Sequence, residues 1–238
     1  MIKVEHLFKA FKEQPVLQDV SFELAAGEIL VILGESGSGK SVLLKHLIGI
    51  LKPDRGTVQI EGKDIVPLSE RKLLGIRKHI GYLFQDGALY DFMTVYENVA
   101  FPLKEHTSLK RREMVEKVTK ILAQVGLSGA LAKYPSELSG GMRKRAALAR
   151  AVILDSKILL CDEPTSGLDP IKSREISDLI YGICRDLKCT TIVTSHDMEN
   201  SLRIADRLIL LRKGRIVARG TPDDMKASQD AFIQEFLT

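Results

Sequence analysis

The segment GESGSGKS, residues 34–41, follows the apolar run ILVIL and precedes the helix-forming run SVLLKHLIGIL. Gly34, Gly37 and Gly39 permit a tight loop with its backbone N–H groups turned inward. Such a loop, at the start of a helix, can cradle the oxygens of a polyphosphate. The candidate binding residues are the loop itself: Gly34, Glu35, Ser36, Gly37, Ser38, Gly39, Lys40, Ser41 and Val42. Lys40 is placed to reach the β and γ phosphates. Ser41 is placed to offer its hydroxyl to Mg²⁺, a hard cation that prefers oxygen ligands. This chemistry also needs a carboxylate at the end of another buried strand, and KILLCDE supplies one. There Ile158, Leu159 and Leu160 bury the strand, Asp162 emerges toward the metal, and Glu163 could orient or deprotonate attacking water. His196 closes TTIVTSH, where an imidazole could hydrogen-bond the γ phosphate; capping of the next helix is the plainer role. Gln85 ends GYLFQD, where a neutral amide could touch Mg²⁺ or water without adding charge; a turn residue is the plainer reading.

These residues need a scaffold, and hydrophobic periodicity supplies its outline. MIKVEHLFKAF, VLQDVSFEL and EILVILG read as strands, and TVQIEGKDI as another strand and turn, so a mostly antiparallel β portion surrounds a strand, loop and helix unit. The pattern changes near residue 87. In RREMVEKVTKILAQVGL, Met114, Val118, Ile121, Leu122 and Val125 recur at helical steps, which predicts a helical insertion of roughly sixty residues ending in the helix after Gly141. The later chain returns to α/β alternation: KILLCDE a strand, KSREISDLIYGICRDL a helix, TTIVTSH a strand, and RLILLRKGRIVARG a hairpin around Lys213-Gly214. The stretch 222–238 reads as one or two short helices. The expected fold class is α/β, with residues 1–86, 87–150 and 151–238 as parts of one domain spanning 1–238.

Composition narrows the function classes. With 45% apolar and 28% charged residues, the chain is that of an ordinary globular protein. A net charge of +4 is too mild to demand nucleic acid, and none is expected as a partner. Cys161, Cys184 and Cys189 have no metal-binding spacing, and a reducing cytosolic setting fits them. The start MIKVEHLFKAF has no apolar core of a signal peptide, and no segment has the uncharged apolar length of a membrane span.

One further segment, LSGGM at 138–142, places a hydroxyl and two adjacent glycines before RKRAALAR, as if something must approach the main chain closely. Arg143, Lys144 and Arg145 then lie in the first turns of a helix and oppose its dipole. A place near phosphate or a partner surface is expected for them, with solvent exposure as the alternative. Together, GESGSGKS, Gln85, LSGGM, LLCDE, SGLD and His196 stand in the order found in ATP-binding cassette (ABC) ATPases, which the whole chain resembles. The resemblance implies a P-loop NTPase core with an antiparallel β subdomain and an inserted α-helical subdomain, ATP and Mg²⁺ as ligands, and ATP hydrolysis. It implies that Phe11 stacks on adenine. It also implies a head-to-tail dimer with a second copy, in which Ser139, Gly140 and Gly141 close over nucleotide held by the partner and the loop Ser166–Asp169 couples the two sites. Met142 departs from the glutamine commonest at its position.

GYLFQDGALYDFMTVYENVAFPLKEHT and ELSGGMRKRAALARAV further resemble the ATPases of MCE-associated, Mla-type phospholipid transporters. That resemblance implies a peripheral place on the cytoplasmic face of the inner membrane and an MCE-domain lipid-binding protein in the same complex. It also implies an integral membrane permease contacted near residues 85–104. Leu89, Tyr90, Phe92, Met93, Tyr96 and Phe101 provide more apolar surface than so short a stretch is expected to bury, which suits a groove for a short permease helix; pure subdomain packing is the alternative. The rival functions are an ATPase of a lipoprotein-release, cell-division or amino-acid system, a soluble cassette protein acting on DNA or ribosomes, and a nonhydrolysing regulatory cassette.

Overall fold

The computed structural model describes residues 1–230 and 233–234. The chain opens with β1 (Ile2–Phe11) and β2 (Gln14–Leu24), which pair antiparallel with Phe11 opposite Gln14. The two residues between them, Lys12 and Glu13, both have positive φ, the backbone that matches the twist of a two-residue hairpin. Next come β3 (Ile29–Leu33), α1 (Lys40–Leu47), β4 (Arg55–Ile60), β5 (Lys63–Asp64), α2 (Glu70–Arg77) and β6 (Ile80–Leu83). Strands β2, β1, β4 and β5 form a four-stranded antiparallel sheet in that order, as the periodicity predicted. Helix α1 is shorter than the apolar run suggested. It stops at Leu47, ahead of Gly49 at φ 67°. Helix α2 escaped the sequence reading because its apolar stripe is thin: Leu73 is buried, whereas Leu74 beside it is exposed.

The helical insertion is observed as α3 (Val95–His106), α4 (Arg111–Gln124) and α5 (Gly140–Val152). Thr94 caps α3 in a reciprocal box with Glu97, satisfying two helix-end N–H groups. In α4, Val118, Ile121 and Leu122 point into the core and Met114 packs at its margin, following the three- and four-residue steps of the sequence. The chain then runs through β7 (Ile158–Asp162), α6 (Pro170–Leu187), β8 (Thr190–Ser195), α7 (Met198–Ile204), β9 (Arg207–Arg212), β10 (Arg215–Gly220) and α8 (Pro222–Ala227). The β9–β10 hairpin turns at Lys213-Gly214 as expected. Of the stretch 222–238, α8 is observed, while residues 231, 232 and 235–238 lie outside the described residues.

The second sheet has the order β10-β9-β3-β8-β7-β6 and is parallel from β9 to β6. Its strands read as continuous apolar runs because both faces are covered. In β3, Ile29, Val31 and Leu33 enter a core shared with α3, α4, α5 and α6. Leu30 and Ile32 enter a second core, shared with α1 and the antiparallel sheet. The order also sets β3, β8 and β7 side by side in register, Leu33 opposite Ser195 and Asp162 opposite Thr194. Gly34, Glu163 and His196 therefore all leave the sheet at one edge, outside the carboxyl ends of parallel strands, where ligands of open α/β sheets bind.

Candidate active site

The phosphate loop is held by main-chain crowding. A Cβ on Gly34 would lie 2.3 Å from the carbonyl oxygen of Leu211, so no side chain fits there. Glu35, Ser36 and Gly37 stand exposed at the mouth of the loop, whereas Ser38 and Lys40 are buried. Lys40 Nζ donates to the carbonyls of Gly34 at 2.6 Å and Glu35 at 3.0 Å, and it pairs with Glu163 Oε1 at 3.1 Å. The ammonium thus points across the loop rather than back into the core. The Ser38 hydroxyl is buried with no protein partner, an orphan that a phosphate oxygen at the loop would satisfy. Val42, one turn into α1, packs its side chain on the second core, leaving its loop-facing backbone as its means of reaching a ligand.

Asp162 closes β7, and its carboxylate gathers hydroxyls. Ser41 Oγ donates to Oδ1 at 2.8 Å, Thr194 Oγ1 to the same oxygen at 2.9 Å, and Tyr82 to Oδ2 at 3.3 Å. Burial, and then the negative Asp162, push the Tyr82 phenol well above its ordinary pKa, so it remains a donor. Thr194 and Tyr82 went unread in the sequence; for Thr194 the signal was a hydroxyl near the end of a strand buried along its whole length. Glu163 follows at φ 42°, a left-handed conformation that turns its carboxylate out of the ladder toward both Lys40 and His196. His196 Nδ1 lies 3.2 Å from Glu163 Oε2. The capping role is filled by Asp197, which accepts from the Asn200 N–H at 3.0 Å, leaving His196 free for the site. Gln85 is brought to the same edge but bonds elsewhere: its side-chain amide donates to Ser166 Oγ at 3.3 Å, and no hydrogen bond joins it to Ser41 or Asp162 among the described residues. Phe11 stands 43% exposed at the end of β1, with the Lys9 ammonium 5.4 Å from its ring centre. An aromatic face so placed can stack on a planar base.

Ser139 caps α5, its hydroxyl accepting the Met142 N–H at 3.3 Å. Nothing within the chain requires glycine after it. A Cβ on Gly140 would meet Leu168 at 3.4 Å and one on Gly141 would meet Lys172 at 3.7 Å, both ordinary contacts. Asp169 caps α6 and pairs with Lys172 at 2.8 Å, a contact that holds its carboxyl below the usual range. It shares with Ser139 a cavity of ≈ 410 Å³ at the starts of α5 and α6. Met142 is half-buried against the main core, so an apolar side chain suits its place.

Each member of the basic trio finds a partner within the chain, Arg143 remaining exposed. Arg143 donates to the Leu138 carbonyl at 2.7 Å, and Arg145 to the Val125 carbonyl at 3.1 Å and to Glu175 at 2.8 Å. Lys144 is buried, donates to the Gln85 carbonyl, and has its pKa lowered by that burial. The three cations tie α5 to neighbouring loops, a sink that sequence spacing cannot reveal. Arg150, on the same helix, donates to the carbonyls of Gly87 and Ala88, each at 2.8 Å. The segment after Gln85 is split between core and surface. Leu89 and Tyr96 pack against the main core, while Tyr90 and Phe92 remain exposed, Phe92 at 76%, as does Phe84 just before Gln85. Phe84, Tyr90 and Phe101 line a groove of ≈ 430 Å³ with Tyr82 and Arg150.

A P-loop after β3, a carboxylate pair at the end of β7 and an LSGG helix in one α/β fold define an ATP-binding cassette. The chain belongs to the ABC transporter family, whose model matches residues 17–166. It is an ATP-hydrolysing subunit that energises transport. It is 44% identical over 236 residues to a "probable ribonucleotide transport ATP-binding protein mkl" of Mycobacterium leprae, covering 99% of this chain and 68% of that protein; it spans 66% of the Mycobacterium tuberculosis counterpart. It is 41% identical over 237 residues to the intermembrane phospholipid transport system ATP-binding protein MlaF of Haemophilus influenzae, covering 100% of this chain and 90% of that one. Among solved structures, the cassette MJ0796, a dimer in a post-hydrolysis state with ADP and Pi bound, superposes with a TM-score of 0.86 at 30% identity, covering 93% of this chain and 99% of that one.

Proposed function

We propose that the chain is the MgATP-hydrolysing subunit of a membrane lipid transporter, working as a head-to-tail dimer. The observation that carries the catalytic reading is the continuous contact chain Ser41–Asp162 and Lys40–Glu163–His196 at the ends of β3, β7 and β8. Within the chain, residues 1–86 serve as the β subdomain and P-loop part, 87–150 as the helical subdomain and 151–238 as the rest of the core. Mg²⁺ fits the donors: Asp162 and Ser41 are hard oxygen ligands within 2.8 Å of each other. Among the described residues no group of three or more acidic, His or Cys side chains forms a cage, as suits a cation taken up together with phosphate oxygens. When bound, Mg²⁺ offsets charge on the β and γ phosphates.

The chain's own groups then do the following. Phe11 stacks on the adenine, and the backbone of residues 34–42 with the Ser38 hydroxyl binds the phosphates. Lys40 swings from its carbonyl partners toward the γ phosphate, which releases Glu163. Glu163 accepts a proton from the attacking water, oriented with His196, and the γ phosphoryl departs in line. Gln85 links this site to the permease groove through Ser166 and its own carbonyl. Ser139, Gly140 and Gly141 complete the partner's site. Their spare space within the chain and the helix N-terminus behind them suit close approach of a phosphate.

The name of the Haemophilus relative, and the resemblance of residues 81–107 and 137–152, support a phospholipid or related lipid as cargo. Phe84, Tyr90 and Phe92 support a permease helix docking near residues 85–104, with an MCE-domain protein in the complex and the ATPase peripheral on the cytoplasmic face of the inner membrane. No helix among the described residues is long and apolar enough to cross a membrane. A nucleotide cargo is the second reading, favoured by the name of the mycobacterial relatives. Isolation of the intact membrane complex and mass spectrometry of its copurified molecules decides between them. Enrichment of a defined lipid over the surrounding membrane is expected, and a ribonucleotide without lipid enrichment overturns the lipid reading.

A further inference from the structure

We infer that Thr194, a residue outside the motifs that define the family, positions the metal-binding and the catalytic carboxylate together. It is fully buried on β8, directly opposite Asp162 in the β7–β8 ladder. Its one hydroxyl proton has two acceptors within reach, Asp162 Oδ1 at 2.9 Å and Cys161 O at 3.4 Å. The carboxylate is both nearer and the stronger acceptor, so the proton goes to Asp162. The lone pairs left on Oγ1 accept the backbone N–H of Glu163 at 3.0 Å. That acceptor answers a local need. Strand β7 ends at Asp162 and Glu163 turns away at φ 42°, so its N–H bonds to a side chain in place of a ladder carbonyl.

One hydroxyl thus fixes the rotamer of the carboxylate before the turn and the backbone of the residue after it. Ser41 shares Oδ1, but its oxygen is the one assigned to Mg²⁺; Thr194 remains to hold the carboxylate, with Tyr82 steadying Oδ2. Valine has almost the shape of threonine and neither its donor nor its acceptor. Thr194→Val therefore frees the Asp162 carboxylate and strands the Glu163 N–H in a single change. Thr194 is fully buried and acts through Asp162 and Glu163, which makes it a positioning residue. The inference rests on reading Asp162 as the metal ligand and Glu163 as the base.

The test uses the purified full chain with a nonhydrolysable ATP analogue and Mn²⁺ as the probe, its binding followed by electron paramagnetic resonance. Thr194→Val is expected to weaken Mn²⁺ binding about tenfold or more, the usual result of removing a partner of a ligating side chain. Affinity for the analogue without metal should stay within about twofold, so affinity for the metal-bound analogue falls with that for Mn²⁺; in turnover kcat should fall and KM for MgATP rise. Thr194→Ser keeps the hydroxyl and should restore both Mn²⁺ affinity and kcat. Wild-type values for Thr194→Val, or an equal defect in Thr194→Ser, overturn the inference. If the valine chain does not fold, Thr194→Ala against Thr194→Ser makes the same comparison. An Asp162→Asn chain that binds Mn²⁺ as tightly as wild type removes the underlying metal reading, and the role of Thr194 with it; a normal defect there beside an unaffected Thr194→Val removes the inference alone.

Discussion

Glu163 stands between two partners of opposite use, Lys40 at 3.1 Å and His196 at 3.2 Å, with its backbone in a left-handed turn. Its carboxylate is placed to take a proton from water while Lys40 turns to phosphate. Glu163→Gln keeps the shape and loses the base. Turnover is expected to fall about 10²–10⁴-fold, with nucleotide affinity retained and an ATP-bound dimer accumulating on size exclusion. Hydrolysis at the normal rate in that variant would exclude Glu163 as the base. A second residue-scale prediction uses composition. The chain has no tryptophan, so Phe11→Trp introduces a single indole at the end of β1. Adding ATP should change its fluorescence by stacking, with a Kd matching that from direct binding; an unresponsive indole beside intact binding would place the base elsewhere.

At the scale of elements, the helical insertion is stabilised by a core at one side and a cap at its start. Leu122, fully buried on α4, should cost about 2–5 kcal/mol on truncation to alanine. Thr94→Ala removes the cap of α3, at about 1 kcal/mol; urea denaturation measures both. The Glu97 carboxyl in that cap is held below its ordinary pKa, chiefly by the Thr94 N–H and then by the Thr94 hydroxyl. Its contribution is present above the unfolded pKa and is lost as pH falls through the lower folded value. The stability gap between wild type and Thr94→Ala should therefore hold near neutrality and shrink below about pH 4.5. These elements show what the sequence could and could not reveal. The α4 stripe, the β9–β10 turn and the phosphate loop were legible because their signals are local: period, turn residues and spacing. Helix α2 was not, since it buries little, and neither were the partners of Arg143, Lys144 and Arg145, since carbonyls carry no residue letter. Thr194 hid for the same reason, because its role depends on which strand lies beside β8.

For the whole molecule, the lack of any need within the chain for glycine at 140 and 141 supports the proposed completion of each site from outside the chain. Ser139→Tyr should block turnover while leaving the nucleotide affinity of the open monomer unchanged. In equimolar mixtures with Lys40→Ala, the Ser139→Tyr chain brings a sound phosphate loop and an altered LSGG, and the Lys40→Ala chain the reverse. If the sites are shared head to tail, the sound loop of the Ser139→Tyr chain faces the sound LSGG of the Lys40→Ala chain. Mixing should then recover measurable turnover that neither variant has alone. Turnover by the Ser139→Tyr chain at the wild-type rate would show each chain hydrolysing ATP without its twin.

The carbonyls gripped by Lys144 and Arg150 carry one further consequence. An ammonium shut away from water has the Gln85 oxygen as its replacement hydration, and stripping it off would leave a desolvated charge without that partner. The backbone of residues 85–88 and the helix bearing LSGG are consequently obliged to travel as one body. In the proposed dimer, a load applied at the groove lined by Tyr90 and Arg150 would thereby be felt at the LSGG turn.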